Sequence, residues 1–299
     1  MDKFSLRGNK RYRYIQGEYM NSILVTGANG YIGKHVVEYL VSHNYHVIAP
    51  VRQISKERSV QGDVDYIKVD IFNDDFFDSI DLPRTCIHLA WKDGFVHNSK
   101  AHMSYLSHHV NFLNKLIDLG TQSISIMGTM HEVGYYEGKI TSDTLCNPKS
   151  QYGIAKNALR ESILLYAKDK QTSIKWLRGY YITGDDYYAN SVFSKITKAD
   201  MKGETEFPFT TGKCKYDFID VNDLAEQIVR ATVQSHYSGI INVCSGKSMS
   251  LSERMERFIV ENNLKIKLKY GAYPDRPYDS PEVYGDNTVI NAIMQESVL

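Results

Sequence analysis

Short apolar runs rich in β-branched residues alternate along this chain with longer stretches in which apolar residues recur every three or four positions. The segment with Leu106, Val110, Leu113 and Ile117 shows the second pattern, which is typical of a helix with one buried face. Strands that alternate with helices predict a parallel sheet with crossover helices. We therefore predict an α/β fold with a doubly wound parallel sheet. The predicted strands are 23–26, 46–51, 66–69, 86–89, 123–127 and 174–177.

Composition narrows the class of protein. Of the 299 residues, 42% are hydrophobic and 23% are charged, as in an ordinary globular protein with a buried core. The 35 Lys and Arg residues balance the 35 Asp and Glu residues, so no net field would draw the chain to nucleic acid or to an anionic membrane. We expect neither of these partners.

The cysteine and hydropathy patterns predict a cytoplasmic protein. The four cysteines are widely spaced and have no histidine at metal-ligand spacing, so they predict neither a disulfide framework nor a metal site. No apolar run approaches the roughly 18 residues of a membrane span. The first twenty residues lack the apolar core of a signal peptide.

A glycine-rich loop directly follows the first predicted strand. Its three glycines are spaced as a dinucleotide-binding loop requires: one for a tight turn, one for close approach to a pyrophosphate, and one for helix packing. The helix that follows would present free N–H groups to the phosphates. The loop predicts a Rossmann-type cofactor site, and the alternative is a purely structural turn. The expected contacts are Gly27, Asn29, Gly30, Tyr31, Ile32 and Gly33.

The end of the second predicted strand indicates which cofactor binds. An acidic residue there would bind the adenosine ribose of NAD, but the chain has Arg52. A guanidinium suits the 2′-phosphate of NADP, so we expect NADP, with NAD as the second choice. The alternative is a solvated arginine at a strand end. The other expected cofactor contacts are Asp70, which has turn capping as its alternative role, Ile71, Leu89, Ala90 and Trp91.

The regular alternation lapses twice in the second half of the chain and resumes between the two lapses. We interpret the regular part as the dinucleotide-binding domain and the irregular parts as a smaller lobe that binds the substrate. The predicted units are an N-terminal extension 1–19, the dinucleotide-binding domain 20–184 with 217–246 returning to it, and the C-terminal substrate lobe 185–216 with 247–299.

Tyr152 and Lys156 lie one helical turn apart on the same predicted helix face. With 22 tyrosines in the chain this spacing arises by chance, and Tyr135 and Tyr166 also begin such pairs. Only Tyr152 has a hydroxyl suitably placed upstream, because Thr129 follows the fifth predicted strand. Thr129 and Tyr152 can therefore converge beside a bound nicotinamide, whereas we expect Tyr135 and Tyr166 to be surface or packing residues.

Taken together, these motifs resemble the extended short-chain dehydrogenase/reductase family, in its NAD-dependent epimerase/dehydratase branch, which acts largely on nucleotide sugars. The order and spacing of the motifs match together, which is more specific than any single motif. The resemblance runs from about residue 20 to residue 286. It rests on TGANGYIG, IHLAW, GTMHEVG, SDTLCNPKSQYGIAK, LRGYYITG, YDFIDVNDLA, INVCSGKSMSLSE and RPYDSPEVYGD.

The resemblance implies a role for each catalytic residue. Tyr152 would exchange a proton with a substrate oxygen while a hydride moves to or from the cofactor. Thr129 would hydrogen-bond that oxygen, and Lys156 would favour the phenolate and hold the ribose. Asn111 would match a helical asparagine that supports the site, and Arg276 a diphosphate-binding position.

The chain also departs from the family where a sugar nucleotide commonly binds. Tyr181 and Tyr216 stand where the family often has Asn and Arg. His131 lies close to Thr129 in the sequence, so it could contact the substrate. The alternative is a structural role, which is the commoner role for a single histidine. Residues 91–98 form a loop that would line the pocket. The expected substrate contacts are His131, Asn190 and Arg276.

The leading functional prediction is an NADP-dependent reductase of a ketone, acting as a homodimer, and the expected ketone is the 4-keto group of a nucleotide-linked 6-deoxy sugar. The first alternative is an NAD-dependent nucleotide-sugar 4-epimerase. The second alternative is a non-catalytic NADP-sensing protein. Loss of Tyr152 or Lys156 would have indicated it, and both residues are present. A dehydratase is less expected, because no Asp stands next to Thr129, although Glu132 keeps that alternative open.

Overall fold

A seven-stranded parallel sheet forms the centre of the molecule, which confirms the predicted fold class. The computed structural model describes residues 21–55, 59–73, 75–184, 191–275 and 280–296. The strands are β1 (Ser22–Thr26), β2 (His46–Val51), β3 (Val64–Lys68), β4 (Thr85–His88), β5 (Ser123–Thr129), β6 (Gly138–Ile140), β7 (Ser173–Gly179), β8 (Tyr181–Thr183), β9 (Glu206–Pro208), β10 (Lys215–Asp220), β11 (Gly239–Val243), β12 (Ser248–Ser250), β13 (Lys267–Lys269) and β14 (Glu282–Gly285).

Helices cover both faces of the main sheet, whose strand order is β11-β7-β5-β4-β1-β2-β3. All six predicted strands lie in this sheet, with bounds shifted by at most two residues. The helices are α1 (Tyr31–Ser42), α2 (Phe76–Ser79), α3 (Ala101–Ser104), α4 (Leu106–Asp118), α5 (Gln151–Ala167), α6 (Val192–Met201), α7 (Val221–Val233), α8 (Leu251–Glu261) and α9 (Thr288–Gln295).

The two faces of the sheet bury separate cores because successive strand residues point to opposite sides. In β1, Ile23 and Val25 pack with α1, α7 and α9, whereas Leu24 packs with α4 and α5. Every one of these three side chains is essentially excluded from solvent. Both faces of a central parallel strand are thus apolar, and this is why such strands appear in the sequence as unbroken apolar runs.

Smaller sheets lie beyond the main one. Strand β10 pairs with β8, β12 and β14, and β14 pairs with β6, while β9 and β13 form a separate pair. Helices α6 and α8 pack together through Phe193, Ile196, Met255 and Phe258. Among the helices in the described ranges, none is long and apolar enough to cross a membrane.

Candidate functional site

The strand order places a crevice at the carboxyl ends of β1 and β4. The chain moves outward from β1 to β2 and β3, then returns to β4 on the other side of β1. Loops that leave the two central strands therefore diverge, and a ligand can bind between them. Thr26 holds the two loops in register, because its carbonyl oxygen and its Oγ1 accept hydrogen bonds from the backbone N–H groups of Leu89 (3.1 Å) and Ala90 (3.3 Å).

The backbone of the glycine loop packs so closely at this crevice that side chains would not fit at Gly27 or Gly33. Gly27 has φ +74°, and a Cβ there would lie 2.7 Å from the Ala90 nitrogen. A Cβ on Gly33 would lie 2.0 Å from the Gly27 carbonyl oxygen. Gly30 begins α1 without a side-chain cap, so the N–H groups of the first turn can bind phosphate oxygens. Asn29 Oδ1 is buried without a partner in this loop. These features fit a dinucleotide pyrophosphate.

The remaining expected cofactor residues lie along the same sheet edge. Arg52 directly follows β2 and is exposed. Asp70 follows β3, and its Oδ1 accepts a hydrogen bond from the Phe72 nitrogen at 3.0 Å, which is the turn-capping role given as its alternative. Ile71 is buried, and Trp91 follows β4.

The catalytic residues predicted from the sequence converge at the end of β5. Thr129 is the last residue of this strand, and its hydroxyl is positioned to hydrogen-bond the Tyr152 phenol. Tyr152 lies in the first turn of α5, which Ser150 caps by accepting a hydrogen bond from the Gly153 nitrogen at 3.1 Å. Burial raises the pKa of Tyr152 to about 12, and the Thr129 hydrogen bond opposes this increase. The phenol therefore carries its proton at neutral pH.

Lys156 lies one turn further along α5 with its side chain buried. Its Nζ donates a hydrogen bond to the Met127 carbonyl oxygen at 2.7 Å and lies 3.8 Å from the centre of the Trp91 ring. Burial lowers the pKa of Lys156 to about 7, and the nearby Glu132 carboxylate acts in the opposite direction. At neutral pH the lysine is therefore close to its midpoint of protonation.

Glu132 supports this centre, and the sequence alone did not predict that role. Its carboxylate is completely buried and accepts hydrogen bonds from Arg178 Nε at 2.6 Å and from Trp176 Nε1 at 3.0 Å, with Arg160 Nη1 at 3.7 Å. A carboxylate with these partners is compensated and oriented. It is unsuited to the substrate acid role that a dehydratase would require.

Two buried histidines form a second support behind the site. Thr26 Oγ1 lies 2.8 Å from His88 Nδ1, and His88 Nε2 lies 2.9 Å from His109 Nδ1. Burial lowers the pKa of His88 well below its usual value and that of His109 to about 3, with Lys156 adding to both effects. Both rings therefore stay neutral. Helix α4 turns His109 toward the site, whereas Asn111, which the resemblance placed there, is exposed.

The loop 91–98 covers the start of the catalytic helix. The His97 carbonyl oxygen accepts the Tyr152 N–H at 2.8 Å, and Asn98 Oδ1 accepts the Gln151 N–H at 3.2 Å. The His97 ring stacks on the Tyr152 ring with centroids 5.6 Å apart. The loop thus satisfies helix N–H groups that would otherwise have no partner, and the His97 ring packs against the Tyr152 phenol.

Aromatic rings line the part of the site where substrate contacts are expected. The His131 ring lies 6.2 Å from Tyr152 and 6.1 Å from Tyr181, and Tyr181 stacks on Tyr216 at 4.2 Å. Tyr181 is thus adjacent both to His131 and to Tyr216. Asn190 and Arg276, the other expected substrate contacts, lie outside the described residues.

The rejected Tyr–Lys pairs lie away from this site. Tyr135 is 47% exposed and Tyr166 is 36% exposed. The Tyr166 hydroxyl donates to Asp118 at 2.8 Å, and Lys170 lies 3.4 Å from the same carboxylate. Both tyrosines lie at the surface, as expected from their positions in the chain.

Known proteins resemble this chain in sequence and in fold. The family model described as "NAD dependent epimerase/dehydratase family" matches residues 23–244. A protein named dTDP-6-deoxy-L-talose 4-dehydrogenase (NAD(+)), from Aggregatibacter actinomycetemcomitans, is 43% identical over 268 residues, covering 88% of this chain and 99% of that protein.

More distant relatives show the same fold. GDP-6-deoxy-D-talose 4-dehydrogenase from the same organism is 24% identical over 276 residues, covering 88% of each chain. The structure of a UDP-N-acetylglucosamine 4-epimerase from Methanobrevibacter ruminantium, in complex with UDP-N-acetylmuramic acid, superposes with a TM-score of 0.80 at 20% identity and 93% coverage of both chains.

Proposed function

From its membership of the NAD-dependent epimerase/dehydratase family, we propose that the chain interconverts a 4-keto group and a 4-hydroxyl on a dTDP-linked 6-deoxy sugar. The chain is a nicotinamide-dependent enzyme of the oxidoreductase type, as its motifs indicate. The observation that carries the proposal is the convergence of Thr129, at the end of β5, with Tyr152 and Lys156, which lie one helical turn apart on α5. The name of the 43% identical relative supports the substrate. Oxidation of the 4-hydroxyl and reduction of the 4-ketone are the two directions of one reaction.

The protonation of the site favours reduction at neutral pH. Tyr152 carries its proton at neutral pH, because the ordinary pKa of a phenol is already high and burial raises it further, so it can give that proton to the substrate oxygen as the carbonyl carbon is reduced. A nicotinamide dinucleotide, with its pyrophosphate held by the glycine loop, would supply or accept the hydride. Thr129 hydrogen-bonds the oxygen as charge develops on it, and the Lys156 ammonium stabilises the phenolate that Tyr152 becomes. Solvent then returns the proton to Tyr152.

We propose NAD as the working cofactor, with Arg52 allowing NADP to bind as well. The relative's name supports the first part, since it specifies NAD(+). The exposed Arg52 at the end of β2 supports the second, because a guanidinium can pair with a 2′-phosphate. No acidic side chain stands at this position to repel that phosphate.

The deciding experiment mixes the purified protein with a dTDP-4-keto-6-deoxy sugar and either NADH or NADPH. We expect the loss of reduced cofactor to match the product formed, mole for mole, as measured by absorbance and mass spectrometry. Tyr152→Phe should abolish this conversion. Interconversion of a UDP-hexose without added cofactor would instead establish the 4-epimerase alternative. Cofactor binding without conversion of any sugar nucleotide in a panel would favour the non-catalytic one.

A further inference from the structure

Trp91 occupies a position between the catalytic helix and α4 that the reaction just proposed does not explain. Its ring stacks on His109 with centroids 4.5 Å apart and an interplanar angle of 21°. Lys156 Nζ lies over the same ring, 3.8 Å from its centre. The indole therefore separates a neutral imidazole from a buried ammonium.

Hydrogen bonds fix the orientation of this indole. Its Nε1 donates to His102 Nδ1 at 3.0 Å, and His102 Nε2 donates to the Val96 carbonyl oxygen at 2.9 Å. Because Nδ1 must accept, the His102 ring is neutral with its proton on Nε2. His102 is itself buried on α3, so the ring system cannot rotate without breaking both bonds.

The other titratable groups around Lys156 do little to retain its charge. His88 from β4 and His109 from α4 are neutral, and Tyr152 on α5 is protonated. Glu132 is the charged group that acts on Lys156 favourably, but Arg178 already pairs with its carboxylate at 2.6 Å. The face of an indole attracts a cation most strongly when water is excluded, as it is at this buried position.

We propose that Trp91 is a positioning residue that holds the Lys156 side chain in its cationic form beside Tyr152. The proposal rests on the proposed function for the catalytic consequence, since Lys156 is assigned there to stabilise the Tyr152 phenolate. The cation–π contact itself can be tested without substrate.

The first test follows tryptophan fluorescence of the substrate-free protein between pH 5.5 and 9. The chain has two tryptophans, so variants identify the source. Wild type should show a transition near neutral pH that disappears in both Trp91→Phe and Lys156→Met. Persistence in Lys156→Met would mean that a group other than Lys156 titrates, and persistence in Trp91→Phe would mean that Trp176 reports the transition. Either result, or no transition in wild type, overturns the proposal.

The second test measures the pH profile of kcat/KM for ketone reduction. Trp91→Leu should shift the high-pH limb to lower pH by about one unit, because Lys156 loses its proton at a lower pH when the indole face is absent. Trp91→Phe, which keeps an aromatic face, should shift it by less than half as much. The matched control is Tyr105→Leu, which removes the ring under Lys92 at 5.0 Å outside the site. The control should leave the limb unmoved.

The outcomes separate this proposal from the proposed function. A uniform loss of activity in Trp91→Leu, with the limb unmoved, would mean that Trp91 only maintains structure and would overturn the proposal. If no sugar nucleotide is converted by wild type, the proposed function fails, and the fluorescence titration still decides the role of Trp91.

Discussion

The cofactor loop takes its shape from one short run of residues, whereas the catalytic groups beside it come from separated segments. Gly27, Gly30 and Gly33 form a backbone surface whose function depends on having no side chains. Thr129, Tyr152 and their supports are side chains from β5, α5 and the loops around them. A backbone site is therefore sensitive to added atoms, and a side-chain site is sensitive to burial and neighbouring charge.

The largest expected effect is on the catalytic side. Tyr152→Phe removes one hydroxyl and no charge, so kcat should fall by roughly 10³-fold or more while the Kd for NADH changes less than about threefold. Steady-state kinetics and NADH fluorescence titration measure the two quantities. Tyr166→Phe is the control, since Tyr166 also begins a Tyr–Lys pair but is bound to Asp118 at the surface. Equal losses in both variants would contradict the assignment of Tyr152.

In the glycine loop we expect a substitution to change the affinity for NADH. A Cβ on Gly33 would lie 2.0 Å from the Gly27 carbonyl oxygen, so Gly33→Ala must displace the phosphate-binding turn. We expect the Kd for NADH to rise by about 100-fold or more, as measured by calorimetry, an effect on the order of 3 kcal/mol. Gly94→Ala is the control, because a Cβ there has no neighbour within 4 Å. Unchanged NADH binding in Gly33→Ala would show that the loop does not hold the cofactor.

A smaller effect separates the two cofactors. Arg52→Asp places a carboxylate where the 2′-phosphate would lie, so the affinity for NADPH should fall by about tenfold or more, while that for NADH should stay within about threefold. Lys115→Asp on α4 makes the same charge change away from the crevice and should leave the ratio of the two affinities unchanged. A ratio that does not respond to Arg52→Asp would remove this residue from the cofactor site.

The smallest effect concerns a buried lysine on neither side of the site. Lys175 in β7 donates hydrogen bonds to Ser123 Oγ at 2.7 Å and to the Thr232 carbonyl oxygen at 3.1 Å, and burial lowers its pKa to about 8. In the unfolded chain this lysine keeps its proton up to about pH 10.4. Burial of the charged lysine therefore lowers the free energy of unfolding by its full amount below pH 8, and this loss of stability disappears as the pH rises from about 8 to about 10.4.

Lys175→Met should therefore change the pH dependence of stability. Its Tm relative to wild type should be highest at pH 7 and should decrease by roughly 2 to 5 °C toward pH 10. Thermal unfolding monitored by circular dichroism at several pH values measures the difference. A difference that is constant with pH would mean that Lys175 is not destabilised by burial.

Local sequence determined the strand pattern, the glycine loop and the placement of Thr129 at a strand end, because each depends on residues close together in the chain. The predicted strands lie in one sheet for this reason, and the position of Thr129 upstream of Tyr152 supplied the choice of Tyr152 over Tyr135 and Tyr166. The contacts that support the site form only in the folded structure, because they join residues that are far apart in the sequence. Glu132 meets Arg178, His88 meets His109, and Trp91 meets Lys156 only because β4, β5, β7, α4 and α5 pack together. Burial at those contacts sets the protonation of the site, and burial depends on the whole fold.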